Sequence, residues 1–124
     1  MNRECSQDTL RYVVQEHDAP QGVHWDLMLE QGDHLATWQV PVAPEQWGDA
    51  AILCPKIFDH RLRYLEYEGP LTQDRGAVRI VARGGFRYVE QRDDFYRLQM
   101  TGDLTGELQL ERDGDAWLMT LERP

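Results

Sequence analysis

Turn-forming pairs recur along this chain at intervals of about ten residues, a spacing that suits strands and little else. Gln31-Gly32-Asp33, Gly84-Gly85, Asp93-Asp94, Gly102-Asp103 and Asp113-Gly114 supply the punctuation. Between them lie short alternating runs rich in β-branched and aromatic residues, so strands are predicted over 77–83, 86–91, 95–100, 106–111 and 116–122. Upstream, 34–40 alternates with Ala36, Trp38 and Val40 on one face. The run 50–57 is apolar and interrupted by Pro55, which suits an edge or a bulge. The run 61–68 would set Leu62 and Tyr64 on one face and Arg63, Leu65 and Tyr67 on the other. Glu45-Gln46-Trp47-Gly48 is expected to make one short helical turn. These elements predict an all-β fold with minor helix, a small antiparallel β-barrel of about eight strands.

A chain of 124 residues has room for a single core. Residues 1–10 read as a polar tail and 11–124 as the domain. The formal charge of −9 argues against a broad grip on nucleic acid, which needs a basic footprint, but is compatible with a small site holding a chain end. No apolar run approaches the roughly 18 residues of a membrane span. The start MNRECSQDT lacks the basic-then-apolar order of a signal peptide. A cytoplasmic monomer away from membranes is therefore expected. Cys5 lies in the polar tail and Cys54 among apolar residues, so free thiols are expected rather than a disulfide.

Chemistry concentrates in 11–30, RYVVQEHDAPQGVHWDLMLE. Tyr12-Val13-Val14 and the alternation from Val23 to Leu29, with Pro20 and Gly22 between, predict a β-hairpin with a six-residue connection. Side chains two apart share a strand face. His24 and Asp26 therefore stand side by side, with Met28 and Glu30 continuing their row and Trp25, Leu27 and Leu29 forming the apolar row opposite. His17, ending the first strand, reaches the same spot from across the hairpin. His-x-Asp alone arises often by chance. Two imidazoles and a carboxylate converging on one point suffice for an open divalent-metal site.

His60, between two predicted strands, faces a rim and reads as a fourth ligand, as a proton donor or hydrogen-bond partner to a substrate phosphate, or as structural. Tyr64 would share that role or sit half in the core. Gln15, on the His17 face, would orient a ligand or a bound oxyanion unless it is ordinary strand polarity. His34 beside its turn reads as surface. There is no glycine-rich phosphate loop, no G-x-S-x-G elbow and no C-x-x-C pair.

The run QEHDA at 15–19, HWD at 24–26 and Leu29-Glu30 resembles the signature of the 3′-phosphoesterase domain of bacterial DNA ligase D. The likeness continues through Trp38-Gln39-Val40-Pro41, Asp59-His60, Tyr64 and Glu68-Gly69 to Gly106 and Trp117-Leu118. It implies a compact β-barrel that trims a 3′-ribonucleotide or 3′-phosphate from a DNA end, or acts on a related phosphoester, with a divalent metal: manganese first, zinc as the alternative. It further implies His17, His24 and Asp26 as metal ligands and His60 as the catalytic residue near the phosphate, with Gln15 and Tyr64 supporting. A DNA-repair ligase or polymerase is the implied kind of protein partner. The chain departs from the family at several points. The interval from His17 to His24 is one residue longer, and Met28, Val42 and Ile52 or a neighbour stand where the family carries phosphate-contacting cations. The alternative reading is a catalytically impaired metal-binding barrel serving as a DNA-repair interaction module. A weaker alternative takes His24, Asp26 and His60 as the facial triad of a non-haem iron oxygenase.

Overall fold

The computed structural model describes residues 9–124, so Cys5 and most of the expected polar tail lie outside the described residues. Ten strands run β1 Leu10–Ala19, β2 Gly22–Gln31, β3 His34–Val40, β4 Ile52–Leu53, β5 Lys56–Arg61, β6 Gly69–Pro70, β7 Ala77–Arg92, β8 Phe95–Gly102, β9 Gly106–Asp113 and β10 Ala116–Glu122. They form one antiparallel sheet in the order β4-β10-β9-β8-β7-β1-β2-β3-β5, with β6 added beside β7.

The two outermost strands, β4 and β5, are neighbours in the chain, separated by Cys54-Pro55. The Cys54 amide donates to the Trp117 carbonyl (2.9 Å) and the Gln39 amide to the Pro55 carbonyl (2.8 Å), so this dipeptide draws the two sheet edges together. The sheet is thereby rolled around a core without closing into a continuous ladder, and the expected barrel of about eight strands is a barrel only approximately. The predicted single run over 50–57 is instead the junction of two edge strands. Pro55 sits where its missing N–H costs no ladder bond.

Leu27, Leu29, Ala36, Trp38, Val40, Leu98, Leu108 and Met119 fill the interior of the roll, all buried. Trp38 meets Tyr96 and Trp117 edge-on at 5.7 and 5.5 Å, a favoured aromatic geometry. A second, smaller cluster lies on the opposite face of β1–β3: Val13, Met28 and Leu35, covered by Leu65. The central strands are thus buried on both faces, which accounts for runs such as Leu27-Met28-Leu29 that alternate in packing partner rather than in polarity.

The cover is a 3-10 turn, Leu62–Leu65, in place of the strand expected over 61–68. A period of three residues brings Leu62 and Leu65 to the same side, and both pack on the second cluster together with Tyr64. Gly84-Gly85 is likewise no turn: β7 runs straight through it. A Cβ at Gly84 would stand 2.2 Å from the Thr101 carbonyl oxygen and 2.8 Å from the Tyr12 hydroxyl, so the glycine serves close approach of β7 to its neighbours. The first hairpin is tighter than the predicted six-residue connection, with Pro20-Gln21 alone between β1 and β2. The helical turn expected at 45–48 is a 3-10 turn at Pro44–Gln46.

Candidate functional site

The β1–β2 register sets the site. Arg11, Val13, Gln15 and His17 occupy one face of β1, and each stands opposite its counterpart on β2, Glu30, Met28, Asp26 and His24. Along this row an exposed ion pair (Arg11–Glu30, 2.8 Å) gives way to the apolar Val13–Met28 rung, and then to the Gln15–Asp26 and His17–His24 rungs. Shortening the connection to two residues extends the ladder, so the two histidines become direct cross-strand partners.

His17 Nδ1 lies 3.1 Å from His24 Nε2, and His24 Nε2 lies 3.2 Å from Asp26 Oδ1. One ligand atom from each residue falls within 4.8 Å of the others, a set that could hold a metal ion. Neighbouring ligands on a zinc- or magnesium-sized ion are roughly 3 Å apart, given bond lengths near 2.1 Å. Two of the three edges match that separation, and the third, His17 Nδ1 to Asp26 Oδ2, is 4.0 Å.

The protonation pattern is consistent with such an ion. The Arg75 carbonyl oxygen lies 2.8 Å from His17 Nε2. It accepts the proton there and leaves the Nδ1 lone pair facing the cluster. Asp26 is 3% exposed, and its Oδ1 has no hydrogen-bond partner among the described residues. Burial pushes its carboxyl up to about 6, opposed by the nearby His17. Burial and the neighbouring His17 hold the His24 imidazole below its ordinary value. A buried, unsatisfied carboxylate oxygen beside the ring nitrogens of His17 and His24 is costly without a cation and well placed with one.

The cluster opens into a cleft of about 640 Å³ whose lining includes Gln15, His60 and Tyr64 together with the three candidate ligands. All the predicted site residues therefore meet in one place, in different capacities. His60 is not among the clustered ligand atoms, which speaks against its reading as a fourth ligand. Its Nδ1 lies 3.0 Å from Thr37 Oγ1 and 3.2 Å from the Phe58 carbonyl, while the Thr37 hydroxyl donates to Leu35 O. The Nδ1 therefore carries the proton, and Nε2 presents a lone pair. Burial keeps the ring neutral by lowering its pKa.

Gln15 donates from Nε2 to the carbonyls of Tyr64 (3.0 Å) and Tyr67 (2.9 Å), anchoring the segment that carries Tyr64. Tyr64 sits in the 3-10 turn, not in a strand, with its ring edge-on to His60 at 5.6 Å. His34 is on the surface between Asp33 and Asp59, away from the cluster.

Thr37 and the 71–76 loop escaped the sequence reading. Thr37 fixes His60. The 71–76 loop delivers both the Arg75 carbonyl and its guanidinium, the latter held by Thr72 and free of carboxylates among the described residues. Gly76 allows the loop this approach, since a Cβ there would lie 2.0 Å from Asp18 O. Arg61 also lines the cleft, and its side chain makes no ion pair among the described residues. At the positions where the resemblance led cations to be expected, by contrast, Met28 is 1% exposed in the second cluster, and Val42 and Ile52 pack against the main core. No local pattern marks Arg75 or Thr37, because only the register of β7 and β3 against their neighbours brings them near.

Comparison with known proteins identifies the family. The chain is 36% identical over 87 residues to the multifunctional non-homologous end joining protein LigD of Pseudomonas aeruginosa (strain PAO1). The match covers 68% of this chain and 10% of that protein, so the chain spans about a tenth of its relative's length. The family model for the DNA ligase D 3′-phosphoesterase domain matches residues 15–120, from the glutamine of the histidine hairpin almost to the end of β10. With the match running from the first site residue almost to the end of the last strand, the chain belongs to the DNA ligase D 3′-phosphoesterase domain family.

Proposed function

We infer that this domain is a divalent-metal-dependent phosphoesterase acting on a 3′-phosphate or 3′-ribonucleotide end of DNA, or on a related phosphoester. One observation carries the reading: the donor atoms of His17, His24 and Asp26 converge, with a buried orphan oxygen among them, in the same cleft as His60. These three residues would hold the ion, manganese first and zinc as the alternative. When bound, it supplies polarisation of a phosphoryl oxygen and a lowered pKa for attacking water.

The protein's own groups do the rest. Neutral His60, with a lone pair at Nε2, accepts a proton more readily than it donates one and so acts as a base or hydrogen-bond acceptor toward the attacking group. Gln15 and Thr37 position Tyr64 and His60. Arg61 and Arg75 offset phosphate charge at the cleft, in place of the cations absent at Met28, Val42 and Ile52.

The test is incubation of a labelled primer bearing a 3′-ribonucleotide or 3′-phosphate with protein and manganese. Release of the terminal group, lost in His17→Ala and His24→Ala, is expected. No turnover at high enzyme concentration with the metal bound would favour the second reading, a non-catalytic metal-holding module beside a DNA-repair ligase or polymerase. The burial of Met28 in an apolar cluster is the observation on that side.

A further inference from the structure

We propose that Phe58 is a stacking platform for the base of the terminal nucleotide, which makes the substrate a base-bearing nucleic-acid end rather than a sugar phosphate. Phe58 is 72% exposed on the edge strand β5. Exposed large apolar side chains elsewhere in the described chain, Val23, Leu53 and Val89, lie outside the cleft, whereas Phe58 lines it. Being two apart on β5, Phe58 and His60 share a face. Their rings are parallel within 10° at a centroid distance of 5.0 Å. One face of the phenyl ring is therefore held against His60, and the other is open.

A flat ring fixed in orientation beside a phosphate-sized polar site fits a second flat ring better than an alkyl group. Bases present π-faces of any sequence to such platforms. The electrostatics point the same way. With a formal charge of −9 and ion pairs occupying Arg11, Arg79, Arg92 and Arg97, long-range attraction cannot hold a polyanion. Short-range contacts within the cleft must supply affinity.

The inference rests on the phosphoesterase reading for its choice of ligand, and the test separates the two. Binding of a labelled oligonucleotide with a single-stranded 3′ end is measured with manganese present, with a normal base or an abasic sugar at the last position. Wild type should bind the base-bearing end about 5- to 150-fold more tightly, the range that stacking on one aromatic side chain gives. Phe58→Leu, which keeps an apolar cover over His60 but has no π-face, should abolish that preference. Phe58→Trp should keep it.

A platform that merely supported His60 would, on substitution, weaken both ends equally, and that result overturns the proposal. Equal binding of the two ends by wild type also overturns it, as does a preference retained in Phe58→Leu. Turnover is scored separately. Base preference without turnover sinks the phosphoesterase reading alone, turnover without base preference sinks the platform alone, and loss of both sinks both.

Discussion

Substituting Asp26 by asparagine tests the site without reference to any substrate. In the metal-free protein, burial raises the Asp26 carboxyl from 3.8 to about 6. The folded state then holds its proton more tightly than the unfolded state does, so stability falls as pH rises through the window from about 4 to about 6 and stays low above it. A shift of about 2 units corresponds to about 3 kcal/mol. The His24 imidazole, held below its ordinary value, acts oppositely: as pH falls below about 6.5 the unfolded chain takes up a proton that the folded chain refuses. His17 acts on Asp26 as well, so the difference between wild type and Asp26→Asn reads the carboxyl together with its coupling to the histidine pair. Urea denaturation from pH 4 to 8 should show Asp26→Asn gaining on wild type as pH rises, to about 3 kcal/mol at pH 7.5. Manganese at a hundredfold excess over its Kd should restore about 2.7 kcal/mol to wild type and leave the variant unchanged. A flat difference curve, or an equal manganese effect on both proteins, would refute the argument that this carboxylate is strained without a cation and relieved by one.

Other expectations follow from single contacts. Bound manganese or zinc in purified protein should fall at least tenfold in His24→Ala, measured by elemental analysis, since one of three donors is removed. Met28→Arg would place a cation on the site face of the hairpin but bury it beneath Leu65, so it should destabilise by about 3 kcal/mol or more in thermal melts and should not raise turnover. Gly84→Ala should cost about 2 kcal/mol or more by the same assay, because the added Cβ would lie 2.2 Å from the Thr101 carbonyl oxygen. The Cys54 thiol, buried and pushed up to about 12, should resist iodoacetamide at pH 8, with modification of its peptide appearing only as the protein unfolds.

Much of the centre was legible because it rests on the shortest-range rules in protein structure. Alternation puts His24 beside Asp26, and a hairpin brings His17 opposite, whatever the rest of the chain does. The all-β class followed equally locally from turn spacing. Tertiary packing decided the remainder. The run 61–68 alternates well enough for a strand, yet the apolar row of Val13, Met28 and Leu35 needed a lid, and a 3-10 turn places Leu62 and Leu65 over it. Gly84-Gly85 has turn chemistry, yet its purpose is contact with Tyr12 and Thr101, residues far away in the chain. Pro55 marked a break without revealing that the break joins opposite edges of a rolled sheet. His60, Arg75 and Thr37 come from separate strands and loops, so their meeting at the histidine pair depends on the registers of β5 and β7 against their neighbours. Sequence fixes periodicity within an element and the nearest turn. Which elements become neighbours depends on burying two apolar faces at once, a sum over the whole chain that no local stretch contains.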